Sequence, residues 1–290
     1  MKAIQKYMLS LIGASVLASG VYAEKSGGYL AVEVGGAKSK FKQDVDVSIN
    51  ALNQDMATIK GDITADNVLP AFYLKGGYKF MFGERGRFGV RPYVYFGYGY
   101  GSMKNVKYNM NAALTPAGEQ IDVMAGGLAS SIVNGANQAL GGEDSIFTGT
   151  GKTYYNHFFD YGVGADLLYN FVDNENESFG IFAGVAIGGE TWVANGKEYK
   201  PNGGKGESYG NFQTILNIGL RGVLAKHHGI ELGAKFYMLD SEIFNGNGYS
   251  SLFSSMIPAN FQALASANIN STTTTMKRPY MISLAYTYNF

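Results

Sequence analysis

The stretch Arg278-Pro279-Tyr280-Met281-Ile282-Ser283-Leu284-Ala285-Tyr286-Thr287-Tyr288-Asn289-Phe290 closes the chain. From Tyr280 onward every even position is large and apolar or aromatic, and the residues between are mostly small or polar. A strict period of two is the pattern of a β-strand with one oily face. Tyr280, Ile282, Leu284, Tyr286, Tyr288 and Phe290 make up that face, which runs to the final residue. At the other end, Lys2 and Lys6 precede the largely apolar stretch Tyr7–Leu17, and Val21-Tyr22-Ala23 meets the small-residue rule for cleavage. Residues 1–23 are therefore expected to be a signal peptide, cut between Ala23 and Glu24, with 24–290 forming one domain. An exported chain that closes on such a strand is expected to be a β-barrel of the outer membrane.

Seven earlier segments repeat the alternation: Gly27–Ala37, Pro70–Phe82, Arg87–Ser102, Tyr154–Phe171, Ser178–Val193, Tyr209–Leu224 and Gly229–Phe244, with Lys277–Phe290 the eighth. Their connections alternate in length. Gly83–Gly86, Val172–Glu177 and Ala225–His228 are short. Lys38–Leu69, Met103–Thr153, Ala194–Ser208 and Asn245–Met276 are long. Short periplasmic turns and long extracellular loops are the habit of bacterial single-chain barrels. The fold expected is all-β: an eight-stranded antiparallel up-and-down transmembrane β-barrel with long extracellular loops carrying short helices. The helices are read from apolar spacings of three and four, at Ile49, Leu52, Met56 and Ile59 and at Ile121, Met124, Leu128, Ile132, Ala136 and Leu140, and from a roughly helical spacing interrupted by Pro258 at Leu252, Met256, Phe261 and Leu264. The run Ser271–Thr275 reads as an exposed loop tip.

Composition narrows the function classes. The 21 Tyr and 18 Phe suit aromatic girdles at two membrane interfaces. After Ala23 no run approaches the 18 apolar residues that a membrane helix needs. There is no cysteine, hence no disulfide and no thiolate metal site. Setting aside Lys2 and Lys6 leaves 21 basic against 23 acidic side chains, a net charge of −2, which gives no footprint for nucleic acid.

The inward parity of the eight segments carries charge: Glu33, Lys75, Lys79, Arg91, Asp160, Asp166, Glu190, Arg221, Glu231 and Lys235. Five are acidic and five basic, and in a bore that eight strands just allow side chains to fill they are expected to pair. The alternative is a small ion-conducting, porin-like channel lined by the same charges. Enzymatic work on lipids or peptides would need an activated nucleophile or water, usually with a histidine base. His227 and His228 fall in a short turn, and His157 lies on the opposite face from Asp160, three residues on. No cofactor, catalytic or metal site is expected, and no enzyme.

The Arg-Pro-Tyr entry to the last strand and its Tyr-Thr-Tyr-Asn-Phe ending, together with the signal peptide, resemble the Helicobacter-type outer-membrane protein family, the Hop, Hor and Hof group. The resemblance implies a barrel folded by the outer-membrane assembly machinery, which reads the terminal strand. The resemblance also implies that larger relatives act as adhesins through a cysteine-containing N-terminal domain, which this chain is not expected to carry. The expected role is structural or surface-interactive, with adhesion-type contacts through the long loops. The expected partners are outer-membrane lipids, the assembly machinery and a host or environmental surface ligand, and the expected state is a monomer.

Overall fold

A computed structural model of the chain describes residues 24–51, 54–83, 86–141, 154–174, 177–194, 208–246 and 265–290. The strands are β1 (Gly27–Ala51), β2 (Gln54–Phe82), β3 (Phe88–Leu114), β4 (Tyr154–Asp173), β5 (Glu177–Ala194), β6 (Ser208–Leu224), β7 (His228–Tyr237), β8 (Ser241–Gly246) and β9 (Ala265–Asn289). Two helices, α1 (Pro116–Met124) and α2 (Leu128–Gly141), follow β3. Each strand from β1 to β6 pairs antiparallel with the next. β9 pairs with β7 on one side and with β1 on the other, which closes the ring.

The ring has eight positions because β7 and β8 share one. β7 meets β9 up to Phe236 opposite Tyr280, and β8 resumes with Ser241 opposite Met276. The side chain of Gln213 seals the break between them. Its Nε2 donates to the Leu239 carbonyl at 3.0 Å, and the Leu239 N–H donates to its Oε1 at 3.0 Å. The amide thus stands in for a missing rung of backbone, as a broken ladder requires.

Over the barrel proper the exterior is apolar. Leu30, Val32, Val34, Leu74, Val163, Val185, Ile218, Leu232, Ile282 and Leu284 are each about half exposed. Aromatic rings gather at its two ends. One belt holds Phe88, Tyr169, Phe171, Phe179, Tyr288 and Phe290; the other holds Tyr98, Tyr100, His157 and Phe159. From Tyr169 to Phe159 is ten residues of β4, about 33 Å along the strand and about 25 Å along the axis of a barrel tilted by ~40°. That matches the apolar band of a membrane barrel. No described helix is long and apolar enough to cross a membrane.

Four strands continue far past the second belt. β1 has 25 residues, β2 has 29, β3 has 27 and β9 has 25, against the roughly 9–11 that a tilted strand needs to span a bilayer. The expected loop Lys38–Leu69 with a helix is therefore corrected: it is a hairpin of paired strand, reversing between Ala51 and Gln54. The cause lies in the sequence. Phe41, Val45, Val47 and Ile49 alternate with Lys42, Asp44, Asp46 and Ser48, and β-branched residues favour the pleated sheet over the helix. Ile49, Met56 and Ile59 are buried in that hairpin, while Leu52 lies outside the described residues. The run Ser271–Thr275 is likewise strand, with Thr274 fully buried, not a loop tip.

The helices expected after β3 are present, but the expected loop Met103–Thr153 opens as strand, because β3 runs on to Leu114 and the first helix starts at Pro116. Thr115 caps α1, its Oγ1 accepting from Gly118 N–H at 3.0 Å. A turn at Gly126 (φ 64°) and Gly127 (φ 89°) splits the spacing into two helices. Ile121, Ala129, Ile132, Val133 and Ala136 are buried against the extended sheet, and Met124 is exposed. The helix read at Leu252–Leu264 and the expected loop 195–207 lie outside the described residues.

Candidate functional site

Every one of the ten expected lumen charges is buried inside the barrel, and two more join them, Glu24 and Arg278. The buried charges are then six acids and six bases. They form three clusters along the bore.

At the end of the barrel where Phe290 lies, Glu24 is the hub. Its carboxylate accepts from Lys79 Nζ at 2.5 Å, Arg221 Nη1 at 2.7 Å and Asn170 Nδ2 at 2.7 Å, with Ser178 Oγ at 3.3 Å. Lys79 also donates to Asn289 Oδ1 at 3.0 Å. In the middle, Arg91 donates to Asp166 (2.8 Å) and, through both terminal nitrogens, to Glu231. Beside it Glu33 binds Lys75 at 2.7 Å and Lys235. A cavity of ≈ 10 Å³ open to a water's centre lies among Glu33, Lys75, Asn217 and Glu231, room for about one water.

Toward the extracellular end, Arg278 forks onto Asp160 with bonds of 2.8 and 2.6 Å, and its Nη2 lies 2.5 Å from Glu190. The guanidinium is sandwiched between the rings of Phe158 (4.1 Å) and Tyr237 (4.0 Å). Tyr73 donates to Asp160 and shares a 2.8 Å hydrogen bond with Tyr237. Glu190 also accepts from Gln213 (3.1 Å) and Ser241. Bidentate pairing of this sort is the strongest that a carboxylate makes with a side chain.

The geometry decides whether the bore is open. In a ring of eight, β3 and β7 are diametrically opposed, as are β4 and β9. Arg91–Glu231 joins the first pair of strands and Arg278–Asp160 the second. The bore is thus crossed twice, wall to wall. Aromatic rings fill the space between, and glycines opposite make room. A Cβ on Gly97 would meet the Tyr73 ring at 2.2 Å, and one on Gly164 the Tyr93 ring at 2.5 Å.

Sequence alternation missed Arg278 because the parity of β9 changes beneath it. Lys38 pairs with Tyr280 but Lys40 pairs with Lys277, so β9 carries one extra residue there. Such a bulge turns the side chains beyond it to the other face. Two signals mark it in the sequence. Counted back from Tyr280, Arg278 would face lipid, an unfavourable place for a charge, and Pro279 is a residue that sheets confine to edges and bulges. Glu24 precedes the first strand, so no strand pattern could assign it. Ala23 lies outside the described residues. The terminal face Tyr280, Ile282, Leu284, Tyr286, Tyr288 and Phe290 points outward along its whole length.

The three histidines stay outside the lumen. His157 shares a 2.8 Å hydrogen bond with Tyr98 in the outer belt, while His227 and His228 bond to the Asn289 carbonyl (2.7 Å) and Tyr286 hydroxyl (2.6 Å) of the last strand. Among the described residues no group of three His, Cys, Asp or Glu could hold a metal ion.

A closed barrel with an apolar band, two aromatic belts and a polar interior defines an integral membrane β-barrel. The Helicobacter outer membrane protein family matches residues 73–290, and the chain belongs to that family; it is a protein of the cell outer membrane. No curated protein matches the sequence. Among solved structures it is similar to the outer membrane protein OprG of Pseudomonas aeruginosa, with 11% identity, a TM-score of 0.39, and 93% of this chain and 100% of that one covered. It is also similar to the attachment invasion locus protein Ail of Yersinia pestis (11%, 0.31, 90% and 99%) and to Neisserial surface protein A (9%, 0.36, 91% and 99%).

Proposed function

We propose that this barrel is a closed anchor for an extracellular platform, and that the platform makes the protein's contacts with its surroundings. One observation carries the reading. The two guanidinium–carboxylate links between opposed strands leave no continuous bore, so the lumen supports the wall and transports nothing. The exposed work then falls to the extension of β1, β2, β3 and β9 with its two helices. In this reading the protein is a monomer, is not an enzyme, and is folded by the assembly machinery through its terminal strand. The placement of all three histidines on the exterior, away from the buried carboxylates, supports the non-enzymatic part.

The test is a variant lacking residues 115–142, made beside Ile132→Asp. Both are expected to keep the barrel folded, seen as unchanged heat-modifiable mobility, and to reduce attachment of cells to a surface or matrix. Full attachment with the platform deleted would refute the reading.

A further inference from the structure

Just beyond the outer aromatic belt, three irregularities across neighbouring strands fall in one row. β3 carries an extra residue where Lys104 and Lys107 face Asp66 and Thr64 of β2. β9 carries its extra residue where Lys277 and Tyr280 face Lys40 and Lys38 of β1. The break between β7 and β8 at Met238–Asp240 completes the row. Bulges bend strands and increase their twist. Along this row a groove of ≈ 580 Å³ opens on the exterior, lined by Lys40, Lys42, Lys107 and Lys277 with Asp66 and Asp240.

Four cations face two carboxylates, and the pairing is incomplete. Lys277 binds Asp240 at 2.8 Å and Lys42 binds Asp44 at 2.7 Å, while Asp66 is engaged by Lys38 at 2.6 Å. Lys40 and Lys107 have no carboxylate partner among the described residues. Their height in the membrane is fixed by the belt. Lys40 stands two residues beyond Lys38, the partner of Tyr280, which puts its ammonium at the headgroup layer where interfacial aromatics sit. Below the groove on the same face, Val34, Val68 and Ile282 are about half exposed to the apolar band. Unpaired ammonium groups above and a bare apolar wall below match a molecule with phosphate at one end and acyl chains at the other.

We propose that this groove binds the phosphorylated headgroup of an outer-leaflet lipid, with Lys40 and Lys107 as its principal phosphate contacts. The proposal rests on the outer-membrane location and is independent of the role of the platform. The test titrates refolded full-length protein in detergent with a diphosphorylated glucosamine lipid, with the same lipid stripped of its phosphates, and with inorganic phosphate. The double variant Lys40→Gln/Lys107→Gln is expected to bind the phosphorylated lipid about thirtyfold more weakly, at the usual contribution of a lysine near an anionic surface. Lys60→Gln, outside the groove, is expected to bind like the wild type. Both lysines are exposed, so heat-modifiable mobility serves as the check that the variant is folded. Equal binding by wild type and double variant, or equal binding of the dephosphorylated lipid, would overturn the proposal. Inorganic phosphate binding as tightly as the lipid would overturn its lipid identity.

Discussion

The inward faces of β1, β2, β3 and β9 change character along their length. Inside the barrel they present Glu33, Lys75, Lys79 and Arg91. Farther along the same faces they present Phe41, Val45, Val47, Ile59 and Ile63, all buried. The outward faces change in the opposite sense, from Val34 and Val68 to Lys40, Lys42, Asp44 and Lys60. The inversion has a solvent cause. Between lipid and lumen, burying an apolar side chain gains little, because lipid tails are as apolar as leucine. The barrel wall is therefore held across its bore by ion pairs and hydrogen bonds. Beyond the membrane the outward face meets water, burial regains its driving force, and the inward face becomes an ordinary apolar core beneath α1 and α2. The row of bulges at Lys40 marks the crossing.

The sharpest break of this contrast is in the lumen. Arg278→Met leaves Asp160 and Glu190 buried without their cation. It should lower the unfolding free energy of the whole barrel by about 3–5 kcal/mol, measured by denaturant titration in lipid vesicles. A loss below 1 kcal/mol would mean that the cluster is incidental. Lysine at position 75 is an ordinary inward residue of β2, whereas Ile59→Lys, sixteen positions away on the same face, should fail. With no partner there, the charge should open the platform to protease while heat-modifiable mobility of the barrel persists. A protease-resistant Ile59→Lys protein would erase the distinction between the two regions.

Smaller effects probe how the platform is fastened. Asn137 of α2 donates to the Ala112 carbonyl at 2.9 Å and accepts from the Ala112 N–H at 2.7 Å, pairing with β3 as a neighbouring strand would. Asn137→Ala should cost about 1–3 kcal/mol for two lost bonds, confined to the platform, and hydrogen exchange at Ala112 should rise while lumen amides stay protected. The smallest effect concerns Asp122, which accepts from Ser130 N–H at 2.7 Å and from Ser130 Oγ at 2.5 Å, tying α1 to the first turn of α2. These bonds hold its carboxyl below the usual range. The tie is at full strength above the ordinary aspartate value of about 3.9 and weakens as pH falls through the lower folded value. Protection of the amides in the first turn of α2, taken relative to their intrinsic exchange rate, should fall in acid, and Asp122→Asn should remove that acid dependence.

Much of this was legible in sequence because a period of two survives wherever strands are regular. All eight barrel positions, the short turns and ten lumen charges follow from it. What escaped did so for particular reasons. Arg278 sits above a bulge that resets the parity. Glu24 lies before the first strand, and its lumen position depends on Lys79, Asn170 and Arg221 converging from three other strands. The β1–β2 hairpin past Lys38 reads as loop in the sequence because its charges, taken alone, look like loop residues. Its alternation with Val45, Val47 and Ile49 is the same signal that decided the last strand, with the faces exchanged.

The most direct test of the closed, ion-paired lumen is a planar-bilayer recording of the purified, refolded protein beside Arg91→Ala and Arg278→Met. The account predicts that the wild type inserts without conducting, and that current, if any, appears only when a guanidinium crossing the bore is removed. Steady open-channel current in most wild-type insertions would contradict it and make the lumen charges the lining of a pore.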